Sequence, residues 1–236
     1  MKKIIVLPVL LFLSTAIFSQ VESAQIAREF KQVMSNGGTN GIQTYSTGEV
    51  KGSQFFVPNW TTGSVTTKSN QVISNNYLFL YDKVRQQLFI KQADSSVILT
   101  GEKDQISGFT LNGDRVYNFV SASAYDPSDK TNFYEVLSSD NKGYSLLKLV
   151  KANFVKADQT DMLRMKDGDI YDKFVDDISY YISYDNGIPK KITFKEKSIA
   201  KAFPALKEKL TAYFDQHDCQ SGNENFLINA VKSFND

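Results

Sequence analysis

The sequence contains one cysteine (Cys219), one histidine (His217) and one tryptophan (Trp60). A lone cysteine cannot close a disulfide within the chain. One histidine and one cysteine cannot fill the nitrogen and sulfur ligand sets that zinc takes. His217 and Cys219 stand two apart, a spacing at which side chains on a helix do not face each other, and no G-x-S-x-G elbow occurs. A serine or thiol hydrolase therefore has no machinery to draw on. The glycine-rich signatures of nucleotide binding are also missing. No charge sign dominates, with 27 basic and 26 acidic residues, so no bulk positive field points to nucleic acid.

What is present starts with a leader. Lys2 and Lys3 precede an apolar run of 15 residues, Ile4 to Phe18. That length suits the h-region of a secretory signal peptide and is short for a membrane span, which needs about 20 residues. Cleavage between Ser19 and Gln20 puts Ser19 at −1 and Ile17 at −3, whereas cleavage after Ala24 would put charged Glu22 at −3. We read residues 1–19 as a signal peptide, and the expected location is periplasmic or secreted. Loss of Lys2 and Lys3 takes the formal charge from +1 to −1, with 25 basic against 26 acidic residues. No later run reaches about 18 apolar residues, so no transmembrane segment is expected after cleavage. No cysteine lies near the cleavage point to carry a lipid. Without a disulfide the mature domain must rest on its hydrophobic core, and 42% hydrophobic residues over this length can supply one.

The mature chain reads as mainly β with α elements. Residues 20–53 are expected to form a short helix and a loop. Ile26, Phe30 and Val33 make one apolar stripe, ended by Ser35-Asn36-Gly37-Gly38, and a weak strand lies around Ile42–Tyr45. Residues 54–236 read as a single β-rich domain. Gly63–Lys68, Tyr77–Asp82, Gln87–Gln92, Val97–Thr100, Ile106–Leu111 and Val116–Val120 are short runs of β-branched, aromatic and aliphatic residues divided by turn residues. That rhythm predicts an antiparallel meander, a sandwich or a partial barrel. Asn112-Gly113 and Asn186-Gly187 are hairpin signals, and Thr131–Leu137 with Tyr144–Phe154 predicts a further hairpin, its Lys148 and Lys151 turned outward to solvent. The strands are short for a membrane barrel, whose spans need about 9–11 residues. Residues 198–236 change period and predict a helical hairpin. Ser198 can cap the first helix and Pro204 suits a first helical position. Phe226, Leu227, Ala230, Val231 and Phe234 line one face of the second.

Two constellations offer binding chemistry. The acidic stretch from Asp158 to Asp177 contains Asp167-Gly168-Asp169 and Asp172, which could converge on Ca²⁺, an ion that takes about six to eight oxygen ligands. The EF-hand pattern is absent, and Lys156, Arg164, Lys166 and Lys173 would equally make this stretch a solvated, charge-compensated loop. Asp176 and Asp177 would point to opposite faces of a strand, a poor acid pair for hydrolysis. Aromatic residues supply the second constellation: Trp60, among polar neighbours, and Tyr180, Tyr181 and Tyr184 in one hairpin arm. On an exposed sheet face they could stack a sugar or receive a peptide strand; turned inward, they are core.

Gly52-Ser53-Gln54-Phe55-Phe56, the Trp60-x-x-Gly63 turn, Tyr77-Leu78-Phe79-x-Tyr81-Asp82, Leu147-x-Lys-Leu-Val-Lys151 and the tail from Ala202-Phe203-Pro204 through Tyr213-Phe214 to Phe226-Leu227 together resemble a group of uncharacterised secreted β-rich proteins of Bacteroidota. The resemblance covers most of the mature chain. It implies an envelope location and no catalytic residues. The expected function is that of a soluble secreted or periplasmic accessory or binding protein without catalysis, its partner an envelope component, glycan or protein. The alternatives are a carboxylate-dependent hydrolase of envelope polymers and a Ca²⁺-stabilised structural module.

Overall fold

The computed structural model describes residues 42, 45, 50–140, 142–157, 171–217 and 223–235. The proposed leader, the N-terminal helix, Asp167, Asp169 and Cys219 lie outside them.

Twelve strands are found among the described residues: β1 (Val50–Lys51), β2 (Gly63–Thr67), β3 (Val72–Ile73), β4 (Tyr77–Asp82), β5 (Gln87–Gln92), β6 (Leu99–Thr100), β7 (Ile106–Asn112), β8 (Val116–Ser121), β9 (Phe133–Ser138), β10 (Tyr144–Val155), β11 (Asp172–Tyr184) and β12 (Lys190–Ile192). Nine of them form one sheet in the order β1-β11-β10-β9-β8-β7-β2-β3, with β12 also on β11. All its pairings are antiparallel except β1 on β11. The remaining three, β4-β5-β6, make a small antiparallel sheet. The chain just before β2 borders β4, where Phe56 N donates to Tyr81 O and Thr61 N to Phe79 O. The mainly β architecture with C-terminal helices agrees with the expectation, and the sheets do not close into a barrel.

Register shows what covers the large sheet. Val65 pairs with Phe109, Phe109 with Phe119, Phe119 with Glu135, Glu135 with Lys148, and Lys148 with Tyr180. Cross-strand partners share a face, so this row runs along one side of the sheet. At one end of that side, Val65, Phe109, Leu111, Phe119 and Phe133 pack against Phe79, Tyr81, Leu88 and Ile90 of the small sheet. At the other end, Leu146, Ile182 and Ile192 pack against helices α1 (Glu196–Ala202), α2 (Lys207–Gln216) and α3 (Glu224–Phe234). One face thus carries two roofs, a sheet and a helical layer. The opposite face holds a smaller cluster of Tyr134, Leu147 and Leu149 with Ala122, Val136, Tyr125 and Tyr181.

Several expectations need correction. Lys148 is not turned outward: it shares the covered face with Leu146 and Val150, and its side chain is only 14% exposed. Leu147 and Leu149 are buried on the other side, because both faces of β10 are covered there. The acidic stretch is not all connector, since Asp172, Asp176 and Asp177 belong to the 13-residue β11. The first helix of the tail begins at Glu196 rather than Ser198, whose Oγ accepts from Thr193 N instead. It stops at Phe203, and Pro204 opens a separate 3₁₀ turn before α2. Asn223 caps α3 by accepting from Phe226 N, as a helix start at that residue requires. Gly113 does not adopt left-handed backbone, and the β7–β8 loop is closed by Gly113 N on Arg115 O. In the β11–β12 hairpin the left-handed residues are Asp185 (φ 48°) and Asn186 (φ 54°), one position before the Asn-Gly pair. No helix among the described residues is long and apolar enough to cross a membrane.

Candidate functional site

Where the small sheet and the helical layer border each other on the large sheet, a cleft of about 330 Å³ opens. Phe56 and Lys83 line it from the small-sheet side and Glu224, the first residue of α3, from the helical side. Arg115, Tyr117, Lys148, Val150, Asp176 and Ile178 form its floor and flank. The volume falls in the range of small-ligand pockets.

Three ion pairs organise the cleft. Lys83 Nζ donates to Asp176 Oδ1 at 2.6 Å, tying the β4–β5 turn to β11. Arg115 Nη2 donates to Glu135 Oε1 at 2.6 Å and stands 3.8 Å from Glu224 Oε1. Lys148 Nζ lies 2.6 Å from Glu224 Oε2 and 3.7 Å from Glu135 Oε2. The longer distance is outside hydrogen-bonding range, and Glu135 Oε2 has no hydrogen-bond partner. Tyr180 Oη completes the network by donating to Glu224 Oε2 at 3.0 Å. Arg115 also lies over the Tyr117 ring, 4.4 Å from its centroid, and Tyr117 meets Phe56 edge to face.

Glu135 is fully buried, and burial pushes its carboxyl above the ordinary glutamate range; Lys148 and Arg115 pull it back only in part. Tyr180 is raised well above the usual phenol value, first by burial and then by the negative charge of Glu224. Each carboxylate touching the cleft is matched by a cation. The arrangement holds polar and charged groups in fixed positions.

The structure scatters the residues singled out from sequence. Tyr180 reaches the cleft through its hydroxyl while its ring packs edge-on against Phe194. Tyr181 points to the opposite face and lies 5.2 Å from the Tyr134 ring. Tyr184 shares the face of Tyr180 but sits at the hairpin end beside Tyr144, about half exposed. Trp60 is half-buried on the border of the small sheet, with Lys91 Nζ 5.0 Å above its ring, and does not line the cleft. Asp172 opens β11 and accepts from Ala157 N; Asp167 and Asp169 lie outside the described residues. Among the described residues no three His, Cys, Asp or Glu side chains gather as a metal site would require. His217 stacks on Tyr213.

Sequence reasoning missed Lys83, Arg115, Glu135, Lys148 and Glu224. One signal was available: Glu135 shares its strand face with Phe133 and Leu137, two residues to either side, so a charge falls in a strand's inward register. No protein-family model, curated protein or solved structure matches this chain.

Proposed function

We propose that this protein is an exported, non-catalytic binding protein of the cell envelope, and that its binding site is the cleft between the small sheet and the helical layer. The observation that carries the reading is the cleft itself, a concavity of small-ligand size whose walls hold paired charges on two strands, two turns and a helix start. Compensated charge favours a polar ligand of low net charge over a polyanion. The leader read in residues 1–19 and the resemblance to secreted proteins of Bacteroidota support export. They also make an envelope glycan or peptide the class of partner to examine.

Two measurements test this. Expressed as the full chain in a Gram-negative host, the protein should be recovered in the osmotic-shock fraction with a mass lacking residues 1–19. Retention of the intact chain in the cytoplasm would contradict export. A muropeptide digest should raise the melting temperature of the recovered protein. A ligand at 100 times its dissociation constant contributes about 2.7 kcal/mol, or roughly 2–4 °C for a domain of this size. Arg115→Gln should abolish the shift, and a shift that survives it would place binding elsewhere.

A further inference from the structure

The charges around the cleft are not equally reachable. Lys83 and Lys148 have side chains only 7% and 14% exposed, and Glu135 is closed off at 0%. Their partners stand open: Asp176 at 40%, Glu224 at 26% and Arg115 at 48%. A ligand entering the cleft therefore meets one guanidinium and two carboxylates, although the network as a whole is balanced. The buried member of each pair fixes the exposed one. Glu135 orients Arg115, Lys83 orients Asp176, and Lys148 with Tyr180 orients Glu224.

Arg115 gives one N–H to Glu135, sits against Tyr117 and makes a long contact with Glu224, and its five-donor planar fork keeps donors for a second carboxylate. Asp176 and Glu224 hold acceptor capacity beyond their lysine partners, and an ammonium has three donors to offer. Phe56, Tyr117 and the 45% exposed Ile178 add an apolar wall suited to one side chain. An uncharged sugar can hydrogen-bond to these groups but brings no opposite charge to them, and a polyanion would meet two carboxylates.

On the reading that this cleft is the binding site, we propose that its ligand is a short peptide with free termini, its carboxylate on Arg115 and its ammonium at Asp176 and Glu224. The test is calorimetric titration of the recovered protein with Ala-Phe-Ala, its N-acetyl and C-amide forms, and chitotetraose as an uncharged control. The free tripeptide should bind. Blocking either end should weaken binding about fivefold or more, the scale of one charge-assisted hydrogen bond in a wet site. In Arg115→Gln the amide should lose no further affinity relative to the free acid. Asp176→Asn leaves Lys83 without its carboxylate, whereas in Glu224→Gln Lys148 keeps Glu135 at 3.7 Å, so Glu224→Gln serves as the second variant, and there the acetyl penalty should shrink. Wild-type penalties below fivefold, or no tripeptide binding, would overturn the proposal without depending on any variant. Chitotetraose binding that Arg115→Gln removes would overturn the peptide and keep the cleft as the site. Silence from both ligands would remove both readings.

Discussion

Glu135 sits at the base of the cleft, fully buried, beside Arg115 and Lys148. Taking a carboxylate out of water is expensive, and two cations nearby offset only part of that cost. Because burial raises its folded value, the native chain holds this proton at pH values where the unfolded chain has released it. Its contribution to stability is therefore most favourable below the unfolded glutamate value, and it declines as pH rises through the raised folded value. Asp82 shifts in the same direction, again first through burial. Glu135→Gln removes one titrating site. Urea denaturation across mildly acidic to neutral pH should show the wild type gaining on the variant as pH falls. Parallel curves would show that Glu135 titrates at its ordinary value. The same substitution weakens the bond that orients Arg115 and should cost about 1–3 kcal/mol at neutral pH.

At the scale of elements, the β4–β5 hairpin is fastened to the large sheet by the turn residue Gln86. Its Oε1 accepts from Tyr81 Oη at 2.8 Å, and its Nε2 donates to Lys83 O and Val150 O, both at 2.9 Å. All of this is buried, and Gln86 holds left-handed backbone at φ 53° to reach it. Gln86→Ala would leave a buried phenol and two carbonyls without these partners and keep the unfavourable backbone. Chemical denaturation should show a loss of about 2–4 kcal/mol. A loss below about 1 kcal/mol would mean that the hairpin is held by its apolar face alone.

Elements of this kind were legible in the sequence where the signal is local. Tyr77–Asp82 and Gln87–Gln92 are strands with the expected bounds, and the strand from Ile106 is one residue longer than read. Both Asn-Gly pairs mark real hairpins, although left-handed backbone falls on Asp185 and Asn186 in one and on no turn residue in the other. Register was not legible in the same way. Alternation along Tyr144–Phe154 was visible, but with both faces covered it could not say which side holds Lys148. The two-residue β1 pairs with a strand more than a hundred positions away, and nothing in Val50-Lys51 announces it. The cleft is still less local: Lys83 and Asp176 are 93 residues apart, and only the completed sheet order brings them together. Aromatic side chains drew attention because they are conspicuous in sequence. The charges that line the cleft look like ordinary surface residues until their register is known.

For the whole molecule, one face of a nine-stranded sheet supports two separate cores, one under the small sheet and one under the helices. The border of two roofs on a continuous floor is where a concave site can form without breaking either core. The sheet supplies Lys148 from β10, Asp176 from β11 and Arg115 from the β7–β8 turn, and each roof adds a charged edge, Lys83 on one side and Glu224 on the other. This layout is the central claim, and it can be mapped directly. Amide resonances of the ¹⁵N-labelled protein, titrated with the muropeptide digest, should move at Arg115, Tyr117, Lys148, Asp176, Ile178 and Glu224 while Trp60, Tyr181 and Tyr184 stay in place. Shifts confined to Trp60 or to the Tyr184 hairpin end, with the cleft silent, would contradict it.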